Sequence, residues 1–284
     1  MISSQGPIIT NKDIKKVARA VKDGWYSNYQ KYIFEFEERF KNYSDNKFAF
    51  STSSCTGALH LALAAIGIKK NDEVIVPELT WVSSVSPILF LDGKPVFADI
   101  EEESLCIDPQ SVEKNITNKT KAIICVGLYG NVPNMKKLQS IAKRNKIYLI
   151  EDVAESLGSK FKKKNLGSFG DISVYSFNGT KITVTGEGGM ITTNNKDISN
   201  KILTLSNHGL TPIKSKKYFW PETLGYKYKM SNLLAALGSS QLEQLNSFIK
   251  QRKKVFLTYK KYLDQINLKF QMNPLIENRD NNYW

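Results

Sequence analysis

An α/β fold, with a mainly parallel sheet covered by helices, is predicted by two features of this sequence. Short apolar runs bounded by Gly or Pro alternate with amphipathic stretches from about residue 47 to residue 207, the pattern of strand–helix–strand crossovers. The residues that look chemical also fall just after those apolar runs, where ligands gather in open sheets of this kind.

The first element is a helix. Thr10 caps it, Asp13 three residues on completes a near capping box, and Gly24 ends it. Ile14, Val17, Ala18 and Val21 fall at i, i+3, i+4 and i+7, which predicts an apolar stripe turned to the core. A second helix is expected over Lys31–Tyr43, with Ile33, Phe34, Phe36 and Phe40 as its contacts. Strands are predicted at Lys47–Ser51, Glu73–Val76, Pro95–Ile100, Lys121–Val126, Ile147–Asp152, Asp171–Phe177 and Gly189–Thr193. Helical stretches fall at Thr56–Ile66, Trp81–Leu91, Met135–Lys146 and Asp197–Asn207. Ser231 caps a further helix whose buried side is expected to carry Leu233, Leu234, Leu237 and Leu242.

Composition removes several classes of function. No apolar run approaches the ~20 residues that cross a bilayer, and Met1–Gln5 has no basic, then apolar, leader pattern. The expected compartment is therefore the cytoplasm. Three scattered cysteines, Cys55, Cys106 and Cys125, make neither a disulfide framework nor a zinc site. Two histidines, His60 and His208, are too few for a histidine-based metal centre, and His60 reads as a packed core residue. The net charge of +13 is spread in ones to threes without an aromatic-lined stripe, so no nucleic-acid partner is expected; such a field steers anionic small molecules.

Four features carry possible chemistry. Ser53-Ser54-Cys55-Thr56-Gly57 offers backbone N–H groups and hydroxyls at a helix start, suited to phosphate; the plainer alternative is an ordinary capped turn. Glu151-Asp152 ends an apolar strand and could supply a carboxylate for a heteroaromatic nitrogen, or be an exposed acid pair. Ser176-Phe177-Asn178-Gly179-Thr180-Lys181 presents one lysine beside an uncharged stretch, the surroundings that lysine nucleophiles favour; most lysines are surface charges. Trp81 follows a strand end and could stack on a planar ring, or belong to the core. A phosphate anchor, a stacking ring, a carboxylate and a lysine are together what pyridoxal 5'-phosphate requires.

The chain resembles the DegT/DnrJ/StrS sugar aminotransferases from Gly24-Trp25 to about Leu245. The likeness runs through Ala58–Leu63, Asp72–Pro77, Glu151–Ser156, Gly167–Asp171, Ser176–Lys181, Thr185–Met190, Asn207–Gly209 and Met230–Leu233. The resemblance implies a fold-type I pyridoxal-phosphate-dependent transferase, aspartate-aminotransferase-like, with a small C-terminal domain. It implies that Lys181 holds the cofactor as a Schiff base and moves the proton. It further implies that Asp152 holds the pyridine nitrogen, Trp81 stacks on the ring and Glu155 sits near the 3′ oxygen. Cys55 and Thr56 backbone groups and the Ser176 hydroxyl would hold the phosphate, with Asn232 reaching it from a neighbouring subunit of a homodimer. The implied reaction moves an amino group from glutamate to a nucleotide-linked keto-deoxysugar.

The sequence departs from the family pattern at three positions. Glu155 stands where many members carry Gln, Asn178 where many carry His, and Cys55 where Gly is common. Glu155 with Trp81 resembles the perosamine-synthase-like branch, which favours a 4-keto sugar. Members run on further, so residues 1–245 are expected to form the arm and large domain, and 246–284 to open a small domain left incomplete. Asn282-Tyr283-Trp284 resembles the start of a strand there. The rival expectation is an impaired remnant that retains only folding or dimerisation.

Overall fold

A computed structural model of the chain describes residues 6–211, 220–266 and 272–284. Met1–Gln5, read above for a leader, lie outside the described residues. The elements in chain order are α1 (Asn11–Asp23), α2 (Lys31–Ser44), β1 (Phe48–Thr52), α3 (Cys55–Ala65), β2 (Glu73–Pro77), α4 (Ser86–Leu89) and β3 (Lys94–Ala98). There follow α5 (Pro109–Asn115), β4 (Thr120–Val126), α6 (Met135–Asn145), β5 (Tyr148–Asp152), β6 (Lys160–Phe161) and β7 (Lys164–Asn165). The chain continues through β8 (Ile172–Ser176), β9 (Gly189–Thr193), α7 (Lys196–Leu205), α8 (Asn232–Leu242), α9 (Leu245–Leu263) and β10 (Arg279–Asp280).

Seven strands form one sheet in the order β1-β9-β8-β5-β4-β2-β3. The run from β8 to β3 is parallel, and β9 joins antiparallel to both β8 and β1. The expected mainly parallel sheet is therefore present. Its strands are apolar on both faces, as a sheet covered on both sides requires. On β2 and β4, Ile75, Ile123 and Cys125 enter one core with Phe36, Phe40, Met135 and Leu138. Their neighbours Val74, Val76, Ala122, Ile124 and Val126 enter the other, against Leu59, Leu61 and Leu63 of α3.

The same period of two separates the acid pair that ends β5. Neither acid is exposed. Leu149 belongs to the first core and Ile150 to the second, so Glu151 and Asp152 project to opposite faces. Glu151 accepts from the N–H groups of Gly167 at 2.7 Å, Phe169 at 2.7 Å and Gly170 at 2.6 Å, and from the Ser173 hydroxyl at 3.3 Å. Burial raises its carboxyl pKa, although these donors oppose the shift. It is a structural post, holding the loop between β7 and β8.

One expectation about a helix face fails and a second is met only in part. The stripe of α1 points outward: Ile14 is 58% and Val21 51% exposed, while Asp13 and Ala20 are buried. The full capping box forms with Thr10, and Asp13 also accepts from Gln241 at 2.9 Å and Gln244 at 3.0 Å. These polar ties to the end of α8 outweigh the period of the apolar residues. On α8 the leucines are only half-buried. Its covered residues are Ala235, Ala236, Gly238, Ser239, Ser240 and Gln241, small enough for α1 and α2 to approach closely. Among the described residues, no helix is long and apolar enough to cross a membrane.

Removing Glu151 strands three buried N–H donors, so Glu151→Ala is expected to destabilise the fold by about 3 kcal/mol in urea unfolding. Burial alone would raise the Asp13 pKa, but the nearby Ser240 hydroxyl and bonds from Thr10 and Gln241 hold it below the usual carboxylate value. A depressed folded pKa gives stability that is present above the unfolded value of about 3.9 and lost as pH falls through the folded one. Asp13→Ala is thus expected to lower the melting temperature at neutral pH and to flatten its acid limb.

Candidate active site

Strands β2, β4, β5 and β8 end at one edge of the sheet, and the segments that follow them line a cavity of about 460 Å³. It gathers Cys55, Thr56, Trp81, Asp152, Glu155, Ser176 and Lys181, seven of the eight residues expected from the sequence.

Asp152 is buried, and its oxygens accept from the Ser84 hydroxyl at 2.9 Å and the Ala154 N–H at 3.1 Å. Burial raises its pKa, with the Ser84 bond pulling the other way. Ser84 lies 2.9 Å from the Thr80 hydroxyl, which fixes the post-β2 segment against Asp152. Ser84 went unnoticed in the sequence because nothing there pairs a serine with an acid 68 residues away.

Lys181 sits in a loop after β8, closed by Gly179 N–H to Gly186 O at 2.9 Å and Thr185 N–H to Phe177 O at 2.8 Å. Ile182, Thr183, Val184 and Thr185 are buried, so the uncharged stretch packs as expected. The Lys181 Nζ is 3.5 Å from Glu155 Oε1, and both side chains are largely covered, at 14% and 10% exposure. Glu155 Oε2 accepts from the Tyr129 N–H at 2.8 Å. Asn178 donates to Glu187 at 2.9 Å, bracing the loop.

The phosphate-like corner is the start of α3. The Ser54 hydroxyl caps it by accepting from Gly57 at 3.0 Å. The N–H groups of Cys55 and Thr56 have no acceptor among the described residues and belong to the first turn of an eleven-residue helix. A Cβ on Gly189 would lie 2.7 Å from the Ser54 carbonyl, so only glycine lets β9 pass this close. Ser176 lines the same pocket and accepts from the Asn178 N–H at 3.3 Å. Burial raises the Cys55 thiol pKa far above its usual value. Trp81 stands at the rim, 70% exposed.

Asn232, expected to reach the phosphate from a neighbouring subunit, does not line the pocket of its own chain. Its amide donates to Gly24 O at 2.8 Å and Asn28 O at 3.1 Å, and accepts from the Tyr32 N–H at 2.9 Å. Those bonds saturate the side chain inside its own chain, where it ties α8 to the segment between α1 and α2. His60, 6% exposed among Phe90, Tyr226 and Tyr228, is the packed core residue expected. Trp284, absent from the sequence-based set, also lines the cavity.

Comparison with known proteins accords with this geometry. Residues 7–284 match the model of the DegT/DnrJ/EryC1/StrS aminotransferase family. The chain is 40% identical over 278 residues to a GDP-perosamine synthase of Escherichia coli O157:H7, covering 98% of this chain and 75% of that protein. It is 38% identical over 284 residues to the GDP-perosamine synthase of Vibrio cholerae, covering 100% and 76%. Among solved structures, a putative sugar aminotransferase of Streptococcus pneumoniae in its PLP-form superposes with a TM-score of 0.90 at 28% identity, covering 99% and 76%. The fold is that of the pyridoxal-phosphate-dependent aminotransferases, and the chain belongs to the DegT/DnrJ/EryC1/StrS aminotransferase family.

Proposed function

We propose that this chain uses pyridoxal phosphate to move an amino group from glutamate to a nucleotide-linked keto-deoxysugar, the 4-keto position being favoured, for surface polysaccharide or related sugars. The observation that carries the reading is the meeting of Lys181, Glu155 and Asp152 in one pocket of a chain from this family. The two GDP-perosamine synthases support a sugar acceptor.

The donor set fits the cofactor. The N–H groups of Cys55 and Thr56, without an acceptor among the described residues, and Ser176 in the same pocket suit a phosphate. Asp152, buried and raised in pKa, suits a cationic ring nitrogen that would offset its burial. When bound, pyridoxal phosphate supplies an aldehyde that takes an amine and a ring that withdraws electrons from the adjoining carbon. The chain's part is then proton handling and orientation. Lys181 Nζ takes a proton from the substrate carbon that bears nitrogen and returns one, as general base and then acid. Glu155, held by the Tyr129 N–H, orients that amine. Trp81 is the ring-stacking side chain in this reading, and the Ser84 hydroxyl keeps Asp152 turned to the pocket.

In the same reading, residues 1–245 form the arm and large domain and 246–284 open the small one, and the protein works in the cytoplasm without nucleic acid. Two copies share a surface formed by exposed Ile14, Val21, Trp25 and Phe34 and the half-buried leucines of α8. The meeting of these side chains in one pocket favours catalysis over a remnant kept for folding or dimerisation.

Adding pyridoxal phosphate to the purified chain is expected to give a visible absorption band that shifts with glutamate. Lys181→Ala should abolish the borohydride-reducible adduct while Lys163→Ala retains it, and an adduct surviving in the Lys181 variant refutes the assignment. Sedimentation analysis is expected to find dimers that Phe34→Glu loosens; a wild type that sediments as a monomer removes the shared surface.

A further inference from the structure

The end of the described chain is built into the active site. Asn282 is wholly buried, donating from its amide to Glu155 O at 2.9 Å and Leu157 O at 3.0 Å, and from its N–H to the Ser159 hydroxyl at 3.0 Å. Gly130, at a φ of +82°, makes room: a Cβ there would lie 2.1 Å from the Asn282 side-chain oxygen. Asn282-Tyr283-Trp284, which the resemblance reads as a strand opening, docks on the loop that carries Glu155. β10, just before it, pairs with β6.

This docking sets Trp284 beside the lysine. The indole N–H donates to Thr180 O at 3.2 Å, and its ring lies nearly parallel to Tyr129, 10° apart with centroids at 6.2 Å. The Lys181 Nζ is 4.3 Å from the centre of the Trp284 ring. The contacts close a cycle: Trp284 on Lys181, Lys181 on Glu155, Glu155 on the Tyr129 N–H, and Tyr129 on Trp284.

We propose that Trp284 is a positioning residue, whose indole face and Thr180 bond hold Lys181 Nζ against Glu155 and screen it from solvent. An ammonium over an indole face is attracted by the ring quadrupole, most strongly where water is excluded. One side chain thus receives the amine from the carboxylate side and the other from the aromatic side. The catalytic meaning of this rests on the lysine role proposed above; the contacts themselves do not.

The test uses the full chain without cofactor, so it stands even if the cofactor reading fails. Acetylation of Lys181 by a limiting amine-reactive reagent is followed by peptide mass spectrometry, with exposed Lys163 as the internal reference. Trp284→Leu, which keeps bulk but removes the ring face, is expected to speed Lys181 labelling about tenfold, the loss of one desolvated cation–π contact. Trp284→Phe restores a ring and is expected to recover most of the protection, with Lys163 labelling constant throughout. Unchanged labelling in the leucine variant overturns the proposal. Equal acceleration in both variants overturns it as well, since a merely structural role would not distinguish leucine from phenylalanine. Should the leucine variant fail to fold, the assay on Trp284→Phe and Trp284→Tyr decides, because loss of protection in both ring-bearing variants sinks the proposal.

Discussion

The architecture turns on two buried carboxylates placed one after the other at the end of the central strand β5. Burying a charge is costly unless donors meet it, and strand geometry sends these two to opposite faces. Glu151 gathers three backbone N–H groups and shapes the loop leading to β8. Asp152 takes Ser84 and the Ala154 N–H and faces the pocket. The acid that builds the scaffold thus stands directly beside the acid that lines the pocket. Exchanging their faces by a one-residue slip of β5 would take Glu151 from its donors and Asp152 from the pocket at once.

Much of this was legible in the sequence, for identifiable reasons. The strands were readable because they lie between Gly and Pro breakers and are apolar on both faces. The site was readable because chemical residues follow strand ends, which the topology then brings to a single edge. Glu151 was half-read: its location was clear, its burial was not, since the donors that meet it come from residues 167–170.

What stayed hidden depends on contacts between distant segments. The outward stripe of α1 reads as core by periodicity, yet Asp13 with Gln241 of α8 and Gln244 just beyond it decides which face is covered. The leucines of α8 read as buried, yet alanine and serine fill that side because neighbouring helices approach closely. The position of Asn232 in the sequence gives no sign of its bonds to Gly24, Asn28 and Tyr32. Trp284 becomes a site residue only through Asn282, whose partners lie more than a hundred residues earlier.

The pocket draws its walls from Ser54 near one end of the chain and Trp284 at the other. Between them run six of the seven strands of the main sheet, and the seventh, β1, ends just before Ser54. No fragment shorter than residues 54–284 carries every lining residue, so any ligand that fills the cavity binds the assembled sheet and not its pieces. By mass action such a ligand stabilises the native state as a whole, by an amount that grows with the logarithm of its concentration. Occupancy of one small cavity is in this way coupled to the integrity of the entire chain, and a protein starved of its ligand becomes more open to unfolding and proteolysis everywhere, not at the site alone.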